Sequence, residues 1–291
     1  VKEEDYPALY RSASKASADS QSAYLLMIRG QYALLFIAAV LSLWFGGDKQ
    51  VYAAYAFTIA VSAVLLLYMS IMKPERDWYG ARALAESIKT STWRYMMKAE
   101  PFVDAPSIKT VRTTFRQFLK EILDANSHVR ETVSKRPMNG DQITHTMDNI
   151  RRKPFLDRKA FYLRYRIQEQ RNWYLGKAAT NRKWFKIWIG LCIAIQSALV
   201  ALALVRIYND QLLSLWPMDP LMVLASALVG WIQIKKFNEL ASAYGLTAHE
   251  IGLIETSLKD VDDEAEFSEF VNEAERAFSR EHTQWVARQN A

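Results

Sequence analysis

Charge-free stretches divide the chain into two pairs of apolar segments set within polar sequence. Residues 30–47 and 50–72 contain no Asp, Glu, Lys or Arg; 187–205 is likewise uncharged, and 212–234 is interrupted only by Asp219. At 1.5 Å rise per residue, about twenty helical residues cross the ~30 Å hydrocarbon core of a bilayer. Each run therefore predicts a transmembrane helix, and each pair, joined by a short loop, predicts a helical hairpin. The competing reading is a set of buried helices in a water-soluble protein, but such helices rarely exclude charge over this length and usually keep a polar face.

The polar segments also read as helices. From Asp157 to Arg206 there is no Pro, and only Gly176 and Gly190 interrupt. As one helix this stretch is about 75 Å long, twice what the bilayer needs. Its polar part interleaves Phe161, Tyr165, Trp173 and Tyr174 with charges, so its aromatic face requires a partner. Residues 75–100 form a second such segment, ended by Pro101, and residues 235–259 continue the pattern behind the fourth run. Residues 107–126 place Ile108, Val111, Phe115, Phe118, Leu119 and Ile122 on one face. A final helix over 263–289 carries Phe267, Phe270, Ala274, Ala277 and Phe278 on one side. Residues 134–141 read as a loop around Pro137 and Gly140, and Asp141 as the N-cap of a short helix reaching Arg152. No stretch alternates as a strand would. The expected fold is all-α: a polytopic membrane protein with four transmembrane helices in two hairpins, extended into a cytoplasmic helical bundle. The expected division is 1–105 (spans about 30–47 and 50–72), a connector over 106–156, and 157–291 (spans about 187–206 and 215–234).

Composition sharpens this picture in three ways. The mean hydropathy of −0.11 averages apolar spans with a strongly polar remainder, so it does not argue for a soluble protein. The net charge of +6 is unevenly placed. Arg29, Lys73, Arg76, Arg82, Arg182, Lys183, Lys186, Lys235 and Lys236 flank one end of the spans. At the other end Asp48 offsets Lys49, and Asp210 and Asp219 offset Arg206. Lys and Arg near short loops fix orientation, so both termini and the central segment are expected in the cytoplasm. Trp44, Tyr52, Tyr208 and Trp216 then lie at the outer interface, and Tyr68, Trp184, Trp188 and Trp231 at the inner one. The single cysteine, Cys192, falls inside the third run, where an intrachain disulfide is excluded and a small packing role is expected. The acidic, polar opening is expected to carry no secretory signal peptide.

No catalytic pattern is present. GxxxxGK[ST] and GxGxxG are missing, and His128, His145, His249 and His282 are scattered through polar sequence. His249-Glu250 begins like a zinc-protease helix, but Leu253 stands where the second histidine is needed. No Asp, Glu or Lys sits mid-span, as a proton relay would require. The expectation is a non-enzyme without cofactor or metal.

The spans do hold uncharged polarity. Ser226, Gly230 and Gln233 share a face of the fourth, Tyr55, Thr58 and Ser62 share a face of the second, and Gln196 stands mid-span in the third, one turn after Cys192. An amide in hydrocarbon is costly unless it finds a partner or water. Such residues either line an aqueous path across an oligomer or cement helix against helix. With no charged ring, a path so lined would be weakly selective or gated by an apolar constriction. The basic residues Arg151, Arg152, Lys153, Arg164 and Arg166 are candidates for an anionic ligand. The alternative is that they face lipid headgroups and the acidic segment 260–275; nucleic acid is not favoured.

Each half repeats one order: polar aromatic helix, span, outer loop, span, polar helix. Residues 165–181 (YRIQEQRNWYLGKAATN), directly before a hairpin, resemble the signature of the SLATT superfamily. Residues 6–17 (YPALYRSASKAS) and 82–102 (RALAESIKTSTWRYMMKAEPF) resemble the SLATT subtype often fused ahead of it. The resemblance covers most of the chain. It implies a two-span effector of bacterial conflict systems that forms pores when a sensor or nucleotide signal activates it. No SMODS-type nucleotidyltransferase or SLOG-like sensor is recognisable in the chain, so the resemblance implies a trigger from a sensor protein or a nucleotide second messenger. The expectation is a homo-oligomeric, pore-forming effector in the bacterial inner membrane, gated through its cytoplasmic helices. The alternative is a non-conducting membrane scaffold or receptor that recruits a partner.

Overall fold

The computed structural model describes residues 1–46 and 48–290, with the backbone alone for 280–290. The last residue of the first charge-free run, Gly47, lies outside the described residues. Eleven α-helices are described: α1 (Ala8–Leu41), α2 (Lys49–Met72), α3 (Pro74–Met97), α4 (Ile108–Ala125), α5 (Arg130–Ser134), α6 (His145–Arg151), α7 (Phe155–Tyr162), α8 (Glu169–Tyr208), α9 (Met218–Lys235), α10 (Phe237–Ser257) and α11 (Glu264–Asn290). There is no strand among the described residues. Four helical stretches, in α1, α2, α8 and α9, are long and apolar enough to cross a membrane.

The long helix expected from Asp157 runs without a break from Phe155 to Tyr208, because one π-helical turn, Leu163–Gln168, links α7 to α8. The short helix ending at Arg151 starts later than expected. Its N-cap is Thr144, whose hydroxyl accepts from the Met147 amide at 3.2 Å, rather than Asp141. The Asp141 carbonyl accepts instead from the Ala8 amide at 3.1 Å, which holds that residue in the loop. In α11 the cap is Asp263, which accepts from the amides of Ala265 (2.9 Å) and Glu266 (2.8 Å), satisfying two otherwise orphan donors.

The chain forms two compact units that each gather segments from both halves: 1–23, 74–172 and 249–291 make the first; 24–73 and 173–248 the second. In the first unit α3 is the central element, packed against α4, α6, α7 and α11. Its sequence is polar on average, yet Ala81, Leu84, Ala85, Ile88, Trp93, Tyr95, Met96 and Met97 are all buried. Small hydroxyl residues make that possible. Ser91 and Thr92 donate to the carbonyls of Ser87 (2.7 Å) and Ile88 (2.8 Å), so their polar groups are satisfied inside the helix itself. Gly80 permits close approach of the turn at Ser127–Val129, where an added Cβ would stand 2.4 Å from Val129 Cγ1. Around α3, Phe102, Phe115, Tyr162 and Phe267 complete an aromatic core.

In the second unit little of the spans is covered by the chain itself: between 6% and 28% of each apolar window is buried. The second helix of each pair ends in the same way. Lys73 closes α2 and Lys236 closes α9, both in the left-handed conformation (φ 43° and 47°), with their amides bonded four residues back to Met69 and Ile232 at 3.0 Å. Glycine is the usual residue there because L side chains are strained at positive φ. The second helices of the two pairs thus share a C-terminal cap as well as a place in the order of elements.

Candidate membrane-embedded site

The polar residues of the spans fall into two groups. On α2, Thr58 and Ser62 form the buried stripe. Thr58 donates to its own helix at the Ala54 carbonyl (2.8 Å), and Ser62 accepts a hydrogen bond of 2.7 Å from the Gln31 amide nitrogen on α1. The other amide atom, Gln31 Oε1, is buried with no hydrogen-bond partner. These residues fix α1 against α2, with Gly30 and Leu65 in contact beside them. On α9, Gly230 serves the same purpose toward α1: an added Cβ would come within 2.3 Å of the Tyr32 hydroxyl. Tyr55 is half-buried and lines, with Tyr32, Ser42, Met222 and Ser226, a cavity of about 470 Å³ between α1, α2 and α9.

The second group faces outward. The buried stripe of α9 is Ala225, Leu228 and Ile232; Ser226 opens on the cavity between α1, α2 and α9, and Gln233 is exposed. On α8, Cys192 is buried while Gln196 is exposed, its amide nitrogen donating a weak hydrogen bond of 3.7 Å to Cys192 Sγ. Sequence periodicity grouped Ser226, Gly230 and Gln233 on one helical face; the structure turns Gly230 toward Tyr32 of α1, sets Ser226 on the cavity that Tyr32 also lines, and leaves Gln233 exposed. Gln31 escaped the sequence reading, although an amide just inside a charge-free run was the available signal.

The five basic candidates also separate. Arg151 is buried and donates to the Tyr95 carbonyl (2.6 Å) and to Asp104 (2.9 Å). Arg166, on the π turn, is buried against Glu275, with contacts of 2.8 and 2.6 Å, beneath the ring of Phe278. Tyr162 donates to the same carboxylate at 2.9 Å. Burial alone would lower the affinity of Arg166 for its proton, but the Glu275 charge holds that proton more tightly than usual. Arg151 and Arg166 therefore belong to the core and are corrected as candidates for an external anion. Arg152, Lys153 and Arg164 remain exposed, with Lys153 over the Phe161 ring and Arg164 over Tyr165. Arg158, which the sequence did not single out, is equally buried and pairs with Glu264. Among the described residues no group of His, Cys, Asp and Glu could hold a metal ion.

Residues 7–159 match the family described as SMODS and SLOG-associating 2TM effector domain 3, and residues 162–285 match the same series' domain 1. The chain belongs to the SLATT family. It carries two of these effector domains in tandem, and with four membrane-length apolar helices it is a membrane protein. The first match ends at Lys159 within α7, and the second begins at Tyr162, one residue before the π turn and four ahead of Arg166. No curated protein and no solved structure matches the chain.

Proposed function

We propose that this SLATT protein is a homo-oligomeric, pore-forming effector of a bacterial conflict or anti-phage defence system. It sits in the inner membrane as two hairpins, with both termini and the first unit forming a cytoplasmic helical bundle. The observation that carries this reading is the outward position of Gln196 and Gln233 on spans otherwise apolar. In a lone chain Gln233 would face hydrocarbon, where an unpartnered amide costs about 2–7 kcal/mol by transfer scales, and Gln196 would keep only its weak bond to Cys192 Sγ. Association of several copies offers each amide a partner or a shared aqueous path. The first unit is suited to sense the trigger, a partner protein or a nucleotide signal, because its segments continue along the chain into the spans, at Lys73 through a left-handed residue.

Reconstitution in liposomes tests the proposal. Activated protein should pass ions, and Gln233→Leu or Gln196→Leu should change conductance while leaving assembly intact. No flux at any protein density would favour a non-conducting scaffold that recruits a partner. Unchanged conductance in both variants would return the amides to helix packing.

A further inference from the structure

We infer that a cavity of the first unit, between α3, α10 and α11, binds a small organic phosphate with a flat or apolar body. The cavity holds about 770 Å³, a size usual for small-molecule sites. Arg94 lines it from α3, Leu253 and Ser257 from α10, and Phe270, Glu273 and Arg276 from α11. All six belong to the same compact unit. Neither arginine makes an ion pair or a side-chain hydrogen bond among the described residues, and Arg94 Nε is buried with no partner. That sets them apart from Arg151, Arg158 and Arg166, each of which meets a carboxylate. Glu275, next to Arg276 in the chain, is already engaged by Arg166 and Tyr162.

The chemistry of the lining selects the ligand. Two guanidiniums on one cavity offer planar forks of N–H donors, the geometry that matches phosphate. The cavity also has an apolar part, where Leu253 is 72% exposed and Phe270 is half-buried. Covering such side chains is favourable, at about 25 cal/mol per Å² of apolar surface. Inorganic phosphate alone would satisfy the arginines and leave that surface wet, so a ligand with an anionic end and a body fits better. Two acceptors remain for donors on that body. Glu273 pairs with neither arginine, and Ser257, which donates to the Leu253 carbonyl at 3.2 Å, keeps its oxygen free to accept. Along the chain α3 follows α2 and α10 follows α9, so the ligand is held by both helices that succeed the second span of a pair. Its use as the trigger rests on the proposed function; the binding itself does not.

Isothermal titration of the full chain in mild detergent tests the site, with AMP, inorganic phosphate and adenosine as probes. AMP carries both the anion and the flat body, and it should bind about tenfold more tightly than either fragment. Arg94→Gln should weaken AMP about tenfold. Arg276 is exposed, so Arg276→Gln should fold and show the same loss even where Arg94→Gln does not fold. Leu253→Ala should weaken AMP and leave inorganic phosphate unaffected. Arg116→Gln/Lys120→Gln, which removes two exposed charges of α4, should leave the affinity for AMP unchanged. Absence of AMP binding by the wild type would overturn the site, as would equal losses in Arg276→Gln and the α4 variant. Inorganic phosphate bound as tightly as AMP would mean an adventitious ion only and would overturn it too. Binding is read without a membrane, so its failure leaves the pore reading to the flux assay, and absent flux leaves the site standing.

Discussion

The two units treat polar groups in opposite ways. In the first, Arg151, Arg158 and Arg166 are almost wholly buried, and each meets a carboxylate: Asp104, Glu264 and Glu275. Hydroxyls on α3 close on their own helix, and Tyr95 donates to Asp148 at 2.8 Å. In the second, Gln196 and Gln233 face outward, Gln31 keeps an unpartnered oxygen, and Arg29 and Lys235 stand about the Trp231 ring with no carboxylate paired to either among the described residues. The first unit pairs its most deeply buried charges within the chain, although the Nε atoms of Arg11, Arg94, Arg112 and Arg171 are buried there without a hydrogen-bond partner. The second is completed by what surrounds it, whether lipid, water or further copies. Under the proposed function, that division would let the first unit sense while the membrane part assembles with further copies.

Breaking the first unit's internal pairing should have the largest effect. Glu275→Leu strands the Arg166 guanidinium in the core, and removal of one partner of a buried pair typically costs about 3–5 kcal/mol. Thermal unfolding in detergent should show a large fall in midpoint. Arg166→Met combined with Glu275→Leu should recover much of the loss, because an apolar replacement of both partners leaves no unpaired charge. A double variant as unstable as the single would mean that the pair contributes more than charge neutralisation.

Changes in the second unit should be milder, since it relies less on its own contacts. Gly230→Val drives a side chain into the Tyr32 hydroxyl and should cost about 1–3 kcal/mol, the usual range for overpacking. Tyr32→Leu should restore stability in that background, and failure to do so would show that α1 and α9 do not approach at this point. Gln31→Leu removes the bond to Ser62, and hydrogen bonds between membrane helices average about 0.6 kcal/mol, so only a small loss of thermal stability is expected.

The smallest effect should be a pH dependence confined to the first unit. Arg136, at 2.6 Å, and Lys15, at 3.0 Å, hold the Asp19 carboxyl below its ordinary value of 3.8. A group whose folded pKa is depressed adds stability that is full above its unfolded value and is lost as pH falls through the folded one. The wild type should therefore lose this contribution below about pH 4, and Asp19→Asn should lack that part of the acid response. Identical acid titrations of the two proteins would show that the surface pairs contribute nothing.

The same contrast explains what could be read from sequence. Four spans were legible because length and exclusion of charge are one-dimensional properties of a chain in hydrocarbon. The continuous helix through Arg166 was legible because neither Pro nor a cluster of glycines interrupts it. The π turn inside it was not, since nothing in LRYRIQ breaks the α-helical pattern. On α11 the expected face was Phe267, Phe270, Ala274, Ala277 and Phe278; the buried stripe is Phe267, Val271, Ala274, Glu275 and Phe278. Glu275 in an acidic segment reads as a solvated charge, although it lies four residues after Val271 and three before Phe278, on the face that goes inside. Arg151 and Arg166 were misplaced for the same reason. Pattern assigns charges to the surface, and only their partners, distant in sequence, bring them into the core. For α9, periodicity grouped Gly230 with Gln233, whereas which side of a membrane helix is covered depends on neighbours that composition does not name.

The central claim is that the second unit is completed by other copies of this chain around a polar path. Imaging the purified protein in lipid nanodiscs for particle symmetry addresses it most directly. The account predicts a closed ring in which the exposed faces carrying Gln196 or Gln233 turn toward the axis or toward the neighbouring copy. A monomeric particle, with those amides against lipid both before and after activation, would contradict it.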